Sequence, residues 1–155
     1  MPLLFLAVIK NKFNMELNSN VNLNIAKILN NTVYGDIFSD KYAAEDVEVT
    51  WDNYLGTKKY KEGELIVDGD YIHGKYYYAP TYAEVIDWLF YNKNVVIKFE
   101  PVFTCALKDN VAYYITVYKV NKENHSLDII FGDKEFMYSL ELAVETILKK
   151  VIELD

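Results

Sequence analysis

Apolar positions recur with two different periods along the chain, and the change of period divides it. Val21, Ile25, Ile28 and Leu29 in VNLNIAKIL fall on one helical face, with Asn30 and Asn31 as terminators. From Thr32 to Ala79 the period shortens to short β-branched and aromatic segments, VYGDIF, DVEVTW, ELIVDGD and YIHGKYYYA. Val47, Val49 and Trp51 alternate with Glu48 and Thr50, as in a half-buried strand. Turns are expected at Asp52 to Gly56, Glu62-Gly63 and Asp68-Gly69, so a small antiparallel meander follows.

Pro80 punctuates the pattern. Thr81, with Glu84 three residues on, has the form of a capping box and predicts a helix burying Val85, Ile86, Trp88 and Leu89 and ending near Asn92 to Asn94. Three strand-like segments follow, VVIKFEPVF, VAYYITVYKV and SLDIIFG, joined by hairpin loops at Lys108 to Asn110 and Asn121 to Asn124. From Ser139 to Leu154 the helical period returns, with Leu140, Ala143, Val144, Ile147, Leu148, Val151 and Ile152 in one stripe. The predicted class is α+β: residues 1–79 as a short helix and β meander, and residues 80–155 as an α-β-β-β-α unit with two helices on one face of a three-stranded antiparallel sheet. Without a flexible linker between them, the halves are expected to pack together.

The second half also resembles a known group. Lys75-Tyr76-Tyr77-Tyr78-Ala79-Pro80-Thr81, Ala83-Glu84-Val85, Trp88-Leu89 and Tyr138-Ser139-Leu140-Glu141-Leu142-Ala143 are similar to an "APT…WL" helix and a C-terminal "Y(S/T)xExA" helix. These motifs occur in small uncharacterised proteins of gut Bacteroidetes and their phages and prophages. The resemblance implies a phage or mobile-element context. Its motifs are caps and packing positions, so it implies no catalytic residue.

Composition narrows the chemistry. The chain has 155 residues, 52% of them hydrophobic and 15% aromatic, enough for a core without a metal or disulfide. The single cysteine, Cys105, forms no internal disulfide, which favours a reducing, cytoplasmic setting; that the cytoplasm is a bacterial host's is what the resemblance implies. Pro2 to Ile9 is apolar but too short to span a bilayer and lacks a basic leader, so no membrane association is expected; Met15 opens a more polar stretch that would also serve as a start. Sixteen basic against 23 acidic residues give a net charge of −7, and all sixteen are lysine. Nucleic-acid binding is disfavoured by sign, and by the missing guanidinium fork that reads phosphate and guanine.

Candidate sites are few. Cys105, His125 and Asp109 or Asp128 could form a nucleophile, base and orienter, but an apolar FTCAL context suits a buried thiol and KENHS a solvated imidazole. Asp68, Asp70 and His73 surround a turn with too few oxygens for a calcium loop. No cofactor or metal is implied. Tyrosines on strands can present a binding surface, and Tyr76, Tyr78, Tyr114 and Tyr118 are the positions to test, since alternation sends one of each adjacent pair to the other face. The functional expectation is a non-enzymatic accessory protein that binds another protein, with a tyrosine-lined module for nucleic acid or a small polar ligand as the alternative.

Overall fold

The computed structural model describes residues 13–30, 40–52, 56–103 and 111–154. The segment Pro2 to Ile9, the strand-like VYGDIF, Cys105 and Asp109 lie outside the described residues. The chain folds as two units, Asn20–Thr81 and Met1–Ser19 with Tyr82–Asp155. The sequence pattern divides the chain once, at Ala79-Pro80. The fold divides it twice, because residues 13–19 pack with the second half.

In the first unit, α1 (Leu23–Asn30) starts where the Asn22 side chain accepts a hydrogen bond from Ile25 N at 2.9 Å, relieving an orphan amide. It buries Leu23, Ile25, Ala26 and Leu29. Ile28 is only half-buried, so the buried face is turned towards Leu23 and Ala26 relative to the predicted stripe. Four antiparallel strands follow, β1 (Tyr42–Trp51), β2 (Gly56–Tyr60), β3 (Leu65–Ile66) and β4 (Tyr71–Tyr78). Their order differs from a simple meander, because β1 is central and the other three all pair with it. Residues 67–70 carry the chain between the pairing partners of β1, close over Val49, where a Cβ on Gly69 would overlap Val49 Cγ1.

A β-bulge makes this small sheet work. The pairing of β1 with β4 slips between Ala44 and Asp46, leaving Glu45 as the extra residue. One inserted residue restores the parity that alternation would otherwise break, so Ala44, Val47 and Val49 all point into one core with Ile66. Tyr42, Trp51, Tyr60 and Ile72 pack around it. Gly74, opposite Val47, has φ +121°, and a Cβ there would overlap the Asp46 carbonyl oxygen, so the bulge requires glycine.

In the second unit, α2 (Tyr82–Lys93) begins directly after Thr81 and ends at Asn94, whose φ of 57° terminates it in the left-handed region. The strands β5 (Val95–Phe103), β6 (Val111–Asn121) and β7 (Ser126–Met137) form an antiparallel sheet in that order. Asn121 accepts hydrogen bonds from the Glu123 and Asn124 amides at 3.0 and 3.2 Å, fixing the β6–β7 turn. Ser139 Oγ then caps α3 (Leu140–Leu154) by accepting from Leu142 N at 3.1 Å. The predicted stripe from Leu140 to Val151 is buried. Helices α2 and α3 pack on the sheet, where Tyr113, Ile115 and Val117 of β6 are fully covered. This is the α+β arrangement that the hydrophobic periods predict.

Candidate functional site

The other face of the second sheet is open only in part, since Ala112 and Thr116 of β6 are buried on it. Residues opposite one another in an antiparallel sheet share a face. The register therefore places Tyr114 with Glu100 and Phe136, Thr116 with Lys98, Tyr118 with Val96 and Ile129, and Val120 with Leu127, all on the face away from Tyr113, Ile115 and Val117. Leu127, Ile129 and Tyr138 are 54%, 56% and 62% exposed, and Tyr114 is exposed as well. An ion pair stands beside them on β5, Lys98 Nζ to Glu100 Oε1 at 3.2 Å.

The aromatic rings on this face meet edge to face. Tyr114 and Phe136 have centroids 5.4 Å apart with planes at 61°, and Phe136 and Tyr138 are 5.0 Å apart at 86°. Edge-to-face contacts stabilise the rings against each other. They also break the flat terrace on which successive bases would stack, leaving clefts between rings.

The four tyrosines singled out from the sequence fall on two sheets. Tyr114 and Tyr118 share the exposed face just described. Tyr76 and Tyr78 lie on β4, on the face that also carries Tyr42, whose ring contacts both at 5.1 and 5.2 Å. Phe136, Tyr138, Leu127 and Ile129 are members of the exposed face that sequence reasoning passed over. Leu127 and Ile129 do alternate with Asp128, but a period of two gives two faces without saying which is wet.

The polar candidates are placed differently. On the first sheet Asp46, Val47, Glu48, Lys59, Tyr60, His73 and Gly74 line an open groove of about 460 Å³. Glu48 stands between Lys59 on β2 and His73 on β4, yet no ion pair or hydrogen bond joins these three among the described residues. Asp70 Oδ2 accepts a hydrogen bond from Asp52 N at 2.6 Å, tying two turns together. His125 is exposed, in the β6–β7 turn with φ 53°. Among the described residues no three His, Cys, Asp or Glu side chains are placed to hold a metal ion, and no helix is long and apolar enough to cross a membrane.

One polar cluster is tightly connected. Glu45, the bulge residue, receives Lys27 Nζ from α1 at 2.8 Å and the Tyr77 hydroxyl from β4 at 3.0 Å. The Lys27 hydrogen bond, then that of Tyr77, holds the Glu45 carboxyl below its usual range, and the same bonds raise Lys27 and Tyr77. With its partners satisfied, this cluster clamps α1 to the bulge.

Comparisons of the chain with protein-family models, with curated proteins and with solved structures give no match.

Proposed function

We propose that the chain is a non-enzymatic accessory protein that binds another protein on the exposed face of its second sheet, in the phage or mobile-element setting that the resemblance of its second half implies. The observation that carries this reading is the exposure of Tyr114, Ile129, Leu127 and Tyr138, with the half-buried ring of Phe136 between Tyr114 and Tyr138. Tyrosine and other aromatic residues are enriched at binding hot spots because they bury large area at low entropic cost. Steric demand favours a partner with branched aliphatic or proline side chains that fit between perpendicular rings, and the net charge of −7 with no arginine disfavours a phosphate backbone.

A photo-reactive phenylalanine analogue placed at Ile129, and in parallel at Glu48 in the groove, tests the reading in a lysate of the organism that encodes the chain. Discrete protein adducts from position 129 and none from 48 are expected. Adducts from 48 alone would move the binding surface to the first sheet.

A second reading rests on the groove. Glu48, Lys59 and His73 are side by side and unjoined, so a small zwitterionic molecule could meet opposite charges there. Calorimetric titration with free amino acids tests it, and the protein-binding reading expects no heat.

A further inference from the structure

We infer that the first unit is a self-contained module inserted into the second, closed at its own ends, and that each unit opens without unfolding the other. Such independence is a property of the chain whatever it binds, so it stands apart from the protein-binding reading.

The chain passes from one unit to the other twice, between Ser19 and Asn20 and between Thr81 and Tyr82. Each unit ties its own two ends there. In the first unit Asn20 and Thr81 form an antiparallel bridge, Val21 N donates to the Pro80 carbonyl at 2.8 Å, and the Asn20 side-chain amide donates to the Ala79 carbonyl at 2.6 Å. Val21 and Ala79 are buried, so these bonds are shielded from competing water. In the second unit Tyr82 N donates to the Ser19 carbonyl at 3.1 Å. A segment whose first and last residues are already paired needs no outside scaffold to hold them together, which is the condition an inserted domain has to meet.

Packing follows the same division. Helix α1 lies on β1 and β4, whereas α2 lies on β5 and α3 on β6 and β7. Ala44, Val47, Val49 and Ile66 form a core inside the first unit. The clamp of Lys27, Glu45 and Tyr77 and the bonds of Asn30 to Tyr78 join parts of that unit. Glu16 and Phe13 reach Tyr113 and Phe99 across most of the sequence, and they join parts of the second. Residues 13–19 thus belong to the second unit although α1 follows them directly, as the leading arm of a host interrupted by an insertion does.

Size permits separate folding. Domains of about 55–65 residues fold alone, and the segment from Asn20 to Thr81 falls in that range. Parts of a chain that hold their own hydrogen bonds and core open as separate cooperative units. The groove lies in the first unit and the exposed tyrosines Tyr114 and Tyr138 in the second, so opening of either unit spares the surface of the other.

Native-state hydrogen exchange of the full chain, read amide by amide in low denaturant, tests the inference on the central strands β1 and β6. Asn20→Ala removes the side-chain tie between the ends of the first unit. Exchange along β1 should quicken about tenfold, the weight of one part-buried hydrogen bond, with β6 unchanged. Gly74→Ala should quicken β1 further, and even where it unfolds the first unit outright β6 should keep its protection. Tyr113→Phe should quicken β6 and leave β1 at the parent rate. Exchange that quickens by one common factor on β1 and β6 in these variants would show a single cooperative body and overturn the separately opening module. Loss of β6 protection when Gly74→Ala unfolds β1 would overturn it as well.

Discussion

The hydroxyl of Tyr113, on the central strand of the second sheet, donates a hydrogen bond to the carboxylate of Glu16, 97 residues earlier in the chain. Phe13, one helical turn before Glu16, packs its ring 5.5 Å from Tyr113 and 5.7 Å from Phe99. Residues 13–19 are thus fastened to the second unit by one charge-assisted hydrogen bond and one aromatic cluster. Tyr113 is fully buried, and replacing it with phenylalanine would strip Glu16 of its donor, a change worth about 1–3 kcal/mol. Tyr113→Phe should lower the denaturant midpoint at neutral pH without changing the slope of the transition.

Alkaline pH probes the same contact. Burial, then the Glu16 hydrogen bond, raises the Tyr113 phenol far above its ordinary value. A raised folded-state value means that the contribution is complete below the unfolded phenol value of ~10 and is lost as pH rises from there towards the folded value. Stability should therefore fall above that pH, and Tyr113→Phe should show a shallower decline, measured by urea unfolding at a series of alkaline pH values.

Acid tests the clamp at the bulge. Glu45 has a lowered folded-state value, so its contribution is present above the unfolded glutamate value of ~4.3 and disappears as pH falls through the folded one. Glu45→Gln should reduce stability at neutral pH and flatten that part of the acid limb. Lys27→Met should do the same, since either change removes the 2.8 Å bond between α1 and β1.

Asn30 offers a sharper change for one residue. Its side-chain amide donates to the Tyr78 carbonyl at 3.2 Å and accepts from the Tyr78 amide at 3.3 Å, so the last residue of α1 completes the backbone pairing of β4 as a neighbouring strand would. Asn30→Ala removes both of these hydrogen bonds at a half-buried position, a loss of about 1–3 kcal/mol. Asn30→Asp should cost as much, because a carboxylate cannot donate to the Tyr78 carbonyl. Thermal unfolding followed by circular dichroism would register either.

Gly74→Ala should be among the most damaging single substitutions in the first unit. The new Cβ would collide with the Asp46 carbonyl in a left-handed backbone that alanine resists, so about 2–4 kcal/mol should be lost. Gly63→Ala, in a turn with open space around it, should lose only the conformational part, about 1 kcal/mol. Comparing the two melting temperatures separates clash from backbone preference.

Much of this architecture is legible in the sequence because it follows from period and punctuation. The stripe from Leu140 to Val151 needed one periodicity, and α2 is bounded by Pro80-Thr81 and Asn94. What escaped has a physical cause in each case. Strand β2, GTKKY, has no apolar alternation to betray it, since all but Tyr60 are exposed on an edge where lysine is protective. The bulge at Glu45 depends on the facing strand and leaves no local mark. Tyr114 and Tyr118 could be proposed as surface residues, but their companions could not, because Leu127, Ile129 and Phe136 read equally well as core. Exposure depends on which face packs against the rest of the fold, and alternation alone does not say which that is.

The central claim is that the open face of the second sheet, and not the groove of the first, is where this protein meets its partner. It is tested most directly by comparing two double variants, Ile129→Asp/Tyr138→Asp and Glu48→Gln/His73→Ala, for the protein species each retains under reversible cross-linking in the source organism's lysate. The account predicts that the sheet variant loses the cross-linked species and that the groove variant keeps them. Retention by the sheet variant together with loss by the groove variant would contradict it.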